Sequence, residues 1–348
     1  MLHATNTHRI GFEKRRRYDA HMTLFAIVLA LLLEQARPLN TQTPVYEGVR
    51  AWTRWVSRML DAGQHTYAWV TWLVAVMVPA LLAWLVYAVF STISVVLGFA
   101  WMVGVLYLTL GFRQFSFHFT NVRVALESGD ERGAREALRE WTQDNSQDLS
   151  KDGILRQTLM HGVLSAHRHV FGVVVCFVLL AWVGLGPAGA VVYRLAQHVM
   201  RRWQDEALNG PSPALQAVAQ RAWCALDWLP CRITAMAFAV VGHFEEAVAN
   251  WRQESGQPGC SNDTVLLAAA AGAMNVRLSP AGLNAAATPA QEPHVVDMAV
   301  GGESAQPDAS MAVQSLKLAH LSTLVGLVWR SVVLVLVLLL LGTLARFW

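Results

Sequence analysis

The chain alternates between long runs without charge and stretches in which charges recur every few residues. From Thr66 to Phe112 no Asp, Glu, Lys or Arg occurs. One membrane span needs about 20 apolar residues, so this run predicts two, with Pro79 bending the first and Phe90–Ser94 forming the turn. A second apolar block covers Val170–Gly186, pauses at "GPAG" and continues to Val192. A third covers Leu321–Leu344 and is followed by Arg346, Phe347 and Trp348, an interfacial anchor. Met22–Leu33 and Ile233–Val241 are shorter and fit buried, re-entrant or tilted helices. The pattern predicts an all-α, multi-pass helical membrane protein with four spans and up to six hydrophobic helices.

Between the apolar blocks, Arg113–Arg168 is polar and charge-balanced. Val122, Leu126, Ala134 and Leu138 fall at helical spacing, which predicts two amphipathic helices around an "SGD" turn, with Ser128 or Asp130 capping the second. These helices predict a cytoplasmic helical layer. Residues 253–315 are rich in Ala, Gly, Pro, Ser and Gln. Within them "TVLLAAAAGAMNVRL" predicts a helix, and 279–315 a flexible linker that need not pack.

Composition supports the membrane reading. Hydrophobic residues make up 54% of the 348 and charged ones 15%, against about a quarter charged in soluble domains. Fourteen Trp fit a membrane–water interface. A net charge of +3, dispersed along the chain, gives no footing for nucleic acid. Cysteines stand at 176, 224, 231 and 260 without CxxC spacing, which argues against a disulfide framework or zinc site. The basic "HRIGFEKRRRYDAH" precedes "MTLFAIVLALLL", but "EQARPLNTQ" offers no small-residue cleavage site, so no cleaved signal peptide is expected. Arg9, Lys14, Arg15, Arg16 and Arg17 place the N-terminus in the cytoplasm by the positive-inside rule. Arg50, Arg54 and Arg58 before the 66–112 hairpin, and Arg113 and Arg123 after it, agree.

Several polar groups at the membrane are candidates for function. His167, Arg168 and His169 stand at the lip of an oily segment. They are either interfacial anchors reaching to headgroups or inward-facing groups, with Arg168 holding an anion or pairing with an acid such as Asp227. Pro230 can open a helix at its first position, leaving Arg232 to snorkel or to bind a ligand. The small residues of Gly186–Gly189 suit close backbone packing more than phosphate binding, and no Walker motif occurs. Gly242 ends one helix, with His243 and Glu246 as caps of the next. Glu34 needs a partner at its depth, and Arg37 is the simplest one.

Five segments in order resemble the CobD/CbiB family of cobalamin-biosynthesis membrane proteins, and in particular its AmpE branch. They are "MTLFAIVLALLLEQARPL", "VRVALESGDERGAREAL", "GPAGAVVYR", "LDWLPCRITAMAFAVVGH" and "AAGAMNVRL", together covering about residues 22–278. The resemblance implies that relatives begin at Met22. It divides the chain into a basic extension (1–21), a membrane domain (22–278), the linker (279–315) and a C-terminal transmembrane helix (316–348). The catalytic branch implies carboxylate and amide groups near the membrane, suited to a metal–polyphosphate complex. Here the corresponding positions hold Leu164, Ser165 and Arg168, then Gln197 without a carboxylate, then Trp223 and Cys224, with Asp227 as the one acidic replacement. A guanidinium at Arg168 would repel Mg²⁺.

The resemblance, with those changes, leads to the expectation of a non-catalytic, AmpE-like regulator in the inner membrane, linked to cell-wall recycling or β-lactamase induction. It would bind a small anionic ligand or a regulatory protein through Arg168 and Arg232, with Asp227, His167, His169 and Glu34 as further contacts. No metal or cofactor is expected on that reading. The alternative is an amide-forming adenosylcobinamide-phosphate synthase using Mg²⁺, ATP and a corrinoid. A transporter would show internal repeats, and none is visible.

Overall fold

The computed structural model describes residues 22–36, 44–142, 149–205, 211–257, 261–276 and 317–345, and among them the only regular elements are helices. The expected basic extension, Arg37, Cys260, the 279–315 linker and Arg346–Trp348 lie outside the described residues. Among the described residues four helices are long and apolar enough to cross a membrane: His65–Ile93, Lys151–Trp182, Pro213–Val241 and Ala319–Leu344. The all-α, multi-pass membrane fold expected from the pattern is what the chain forms.

The number of spans agrees with expectation, but their identities differ. After α1 (Met22–Ala36) and α2 (Pro44–Leu60), α3 (His65–Ile93) runs through Pro79 and meets α4 (Val95–Thr109). The break falls at Ser94, whose extended backbone (φ −158°, ψ 135°) turns the chain where the sequence placed the turn. Trp101 donates its indole N–H to the Ala83 carbonyl (2.9 Å) and meets Phe90 edge-on, tying the hairpin together. At 15 residues α4 is about 22 Å long, short of a roughly 30 Å hydrocarbon core. In its place α10, as numbered below (Pro213–Val241), is long enough to span. Its apolar end, Ile233–Val241, looked short because Arg221, Asp227 and Arg232 interrupt the hydrophobic run without interrupting the helix.

The next elements are α5 (Phe112–Glu127) and α6 (Glu131–Thr142). They are followed by α7 (Lys151–Ala166), a five-residue π turn (His167–Phe171) and α8 (Gly172–Trp182), which form one continuous helix. The chain continues through α9 (Ala188–Asp205), α10 (Pro213–Val241), α11 (Phe244–Ser255), α12 (Asn262–Ala273) and α13 (Ala319–Leu344). The chain divides into two compact units.

The first unit comprises Met1–Ser116, Ser165–Ala237 and Trp329–Trp348. In it α9 packs against α3, α4 and α8, around a core that includes Trp72, Phe177, Tyr193 and Trp203. In the most apolar window of α3 only 17% of residues are buried, against 72% for Lys151–Trp182. A helix apolar on all sides yet mostly uncovered is suited to lipid, so α3 is a lipid-facing wall and the π-turn helix is the interior. A Cβ on Gly189 would collide with the Cys176 carbonyl, so glycine there lets the α9 backbone lie on α8. That is the packing role expected of the "GPAG" segment.

The second unit comprises Phe117–Leu164 and Phe238–Val328. Val122, Leu126, Ala134 and Leu138 are all at most 2% exposed, as their spacing predicts. Asp130 caps α6 by accepting from the Gly133 N–H (2.9 Å). α11 and α12 approach closely, since a Cβ on Gly272 would collide with the backbone of Glu246 and Ala247. Gly242 does separate two helices, but His243 makes no side-chain cap; its backbone N–H goes to Ala273 instead (3.1 Å). α12 opens with a Ser261–Thr264 capping box, confirming a helix in this Ala-rich stretch.

Candidate functional site

The site begins with a local irregularity in the helix running from Lys151 to Trp182. At His167–Phe171 the backbone widens into a π turn, closed by the Gly172 N–H bonding to the His167 carbonyl. Such turns are uncommon and concentrate at functional sites. Here the widened turn buries His167, Arg168, Val170 and Phe171 together.

His167 is fully buried, and both ring nitrogens are engaged. Nδ1 lies 2.9 Å from the Thr234 hydroxyl and Nε2 lies 3.0 Å from Asp227 Oδ1. Tyr193, from α9, donates its hydroxyl to the same Asp227 oxygen at 2.7 Å. The Thr234 hydroxyl donates to the Pro230 carbonyl (2.9 Å), so its oxygen accepts from His167 Nδ1–H. The contact between Nε2 and Oδ1 joins an imidazole to a carboxyl group inside the protein. Asp227 Oδ2 is buried without a hydrogen-bond partner among the described residues. A carboxylate 1% exposed, paired through one oxygen only, is unusual in a protein interior and marks a functional candidate.

Glycine makes this arrangement possible. A Cβ on Gly172 would fall on the Tyr193 ring, so only glycine lets that phenol cross the start of α8 toward Asp227. Trp223 closes the other side of the phenol, with ring centroids 5.1 Å apart.

A second set of groups lies around His169. Its Nδ1 is 3.0 Å from the Ser165 carbonyl, and the charges of Arg194, Arg201 and Arg168 reach its ring. Gly111 makes room here: a Cβ would stand 3.0 Å from the His169 ring and 3.7 Å from the Arg194 guanidinium. One turn along α9, burial and the positive charges of Arg202, Arg194, Arg50 and Arg201 push His198 from its ordinary value of 6.5 down to about 4.

The expected site residues therefore separate. His167 and Asp227 form one buried pair; Arg168, 9% exposed, and His169 lie on the same π turn. The side chain paired with Asp227 is His167, at 3.0 Å, where the sequence suggested Arg168. Arg232 is elsewhere: it caps the Trp228 carbonyl (3.0 Å) and stacks 4.2 Å over the Trp228 ring, which is half exposed. Pro230 lies inside α10 and opens no helix, so the residues after it continue the same helical face. Glu34 is buried on α1. Sequence reasoning missed Tyr193 and Thr234; a tyrosine seven residues after Gly186 carries no signal until the glycine at 172 is seen to accommodate it.

A divalent cation does not fit these residues. Among the described residues no three His, Cys, Asp or Glu converge as a metal-holding group, and the charges that reach His169 are those of guanidiniums.

Comparison with known proteins gives a consistent answer. The "CobD/Cbib protein" family model matches residues 23–318. A cobalamin biosynthesis protein CobD of Chromobacterium violaceum is 31% identical over 176 residues, 51% of this chain and 54% of that protein. A cobalamin biosynthesis protein CobD of Stutzerimonas stutzeri is 26% identical over 223 residues, 64% of this chain and 69% of that protein. The match thus spans about half the length of the first relative. No solved structure matches the chain. Both relatives carry the cobalamin name, which shifts the weight away from the AmpE branch expected from Arg168. With the family model covering most of its length, the chain belongs to the CobD/CbiB family.

Proposed function

We propose that this protein acts in cobalamin biosynthesis, at an amide-forming step of the adenosylcobinamide-phosphate synthase type. The support is the family match over residues 23–318, with both curated relatives named for that pathway. The chain's own residues supply two capacities that such a step uses. Asp227 and His167 form a buried acid–base pair, and Asp227 Oδ2 is buried without a hydrogen-bond partner among the described residues, an acceptor for a donor brought to it. The guanidiniums near His169 suit a carboxylate or phosphate. The protein lies in the inner membrane with its N-terminus in the cytoplasm, as the basic residues of the first 21 positions direct.

A second reading is a non-catalytic, AmpE-like regulator that binds a small anionic ligand. The specific observation in its favour is Arg168, Trp223 and Cys224 at positions where catalytic relatives carry acids. The test is complementation of a synthase-deficient strain supplied with the late corrinoid precursor. Growth is expected on the first reading. Absence of growth, with the protein present in the membrane fraction, would replace it with the second.

A further inference from the structure

The sides of α2 differ in chemistry. Thr53, Val56 and Ser57 are buried and face the protein. Along one exposed edge, Val45, Trp55 and Met59 present apolar surface to the outside. Along the other, Arg54 and Arg58 stand one helical turn apart, and both are exposed. Trp52 stacks on Trp55, with ring centroids 5.5 Å apart, which steadies the indole at the apolar edge. Three arginines and Glu47 within 17 residues keep α2 from crossing a bilayer. We propose that α2 is a membrane-surface helix that docks the chain on an anionic lipid bilayer: Trp55 and Met59 enter the acyl boundary, while Arg54 and Arg58 meet the headgroups.

Position and chemistry both point to that occupant. A short connection joins α2 to α3, which is long and apolar enough to cross the membrane. Three hydrogen bonds pin α2 to the α3–α4 hairpin. Tyr46 donates its hydroxyl to the Leu108 carbonyl (3.0 Å), Trp52 its indole N–H to the Ala75 carbonyl (3.1 Å), and Thr71 its hydroxyl to the Leu60 carbonyl (2.9 Å). From Leu60 back to Trp52 the helix covers about 12 Å, while its contacts on α3 advance from Thr71 to Ala75, about 6 Å. α2 therefore crosses α3 obliquely. A helix held across a membrane span, with one apolar edge and one cationic edge, suits the interface plane, where indoles settle and arginines are drawn to anionic lipid. Glu47 shares the charged edge and leaves it cationic. This role is independent of the reaction proposed above.

The full chain is reconstituted in nanodiscs of equal parts phosphatidylcholine and phosphatidylglycerol, with the photo-crosslinker p-benzoylphenylalanine placed at position 55, 59 or 47 in separate variants. Irradiated protein is analysed by mass spectrometry and by gel. Lipid adducts are expected at positions 55 and 59, at least threefold more than at position 47 on the charged edge. Among those adducts phosphatidylglycerol should exceed phosphatidylcholine at least threefold, and the double variant R54Q/R58Q should bring the two to parity. Met59 is exposed, so the variant at 59 keeps the test alive if the one at 55 fails to fold. The proposal is overturned if neither 55 nor 59 captures lipid, or if position 47 captures as much. It is also overturned if the product is a covalent dimer, which would make the edge an interface between copies of the chain, or if the two lipids are captured equally by the parent.

Discussion

His167 and His169 are two residues apart on one π turn, yet they meet opposite chemistry. His167 is enclosed by Asp227, Tyr193 and Thr234, in a network of hydrogen bonds among buried polar groups. His169 meets a backbone carbonyl and a field of guanidiniums. The difference shows how a widened helical turn can serve two purposes. It commits one side to an acid–base contact inside the protein and sets the other among guanidiniums.

The comparison breaks most severely at Asp227. Replacing it with Ala leaves a buried imidazole and phenol without their acceptor, and removal of one partner of a buried pair costs about 3–5 kcal/mol. A large fall in the unfolding midpoint of the detergent-solubilised protein is expected, with Asp227→Asn falling less because its amide oxygen still accepts from Tyr193. Equal, small losses in both would mean that the pair does not hold the π turn.

The cationic side is sharpened by pH. Burial and the surrounding arginines hold His198 near 4, below its ordinary 6.5, so the folded state binds fewer protons than the unfolded chain between those values. The stability this group contributes is fully present above about pH 6.5 and is lost as pH falls through 4, amounting to at most roughly 3–4 kcal/mol. Acidification from pH 7 to 4.5 should lower the unfolding midpoint, and His198→Gln should flatten that dependence. An unchanged slope would detach His198 from the arginines. The smallest effect is expected at Arg232, where Gln removes an exposed cation–π contact worth about 0.5–1 kcal/mol. A loss several times larger would return Arg232 to the site.

Legibility in the sequence followed how local the physics was. The α5–α6 pair was readable because helical spacing and an Asp cap act within a few residues. The hairpin turn was readable because absence of charge bounds a length. α10 was not, since three charged side chains broke its hydropathy while its backbone bonds, Pro230 included, ran on. The π turn leaves no pattern in "HRHVF", because the surplus residue is accommodated by neighbours distant in sequence. Asp227 was identified as a candidate, but its partners were not. Tyr193 reaches it only because residue 172 lacks a side chain, and such a steric permission is visible only in three dimensions.

The two glycines of α8 and α9 carry a mechanical consequence. Gly189 seats one main chain directly on the other, and Gly172 lets a phenol bolt across both. The pair therefore behaves as a single stave with no seam to open. Asp227, which meets that phenol from α10, is thus paired to an element that close backbone packing holds in place.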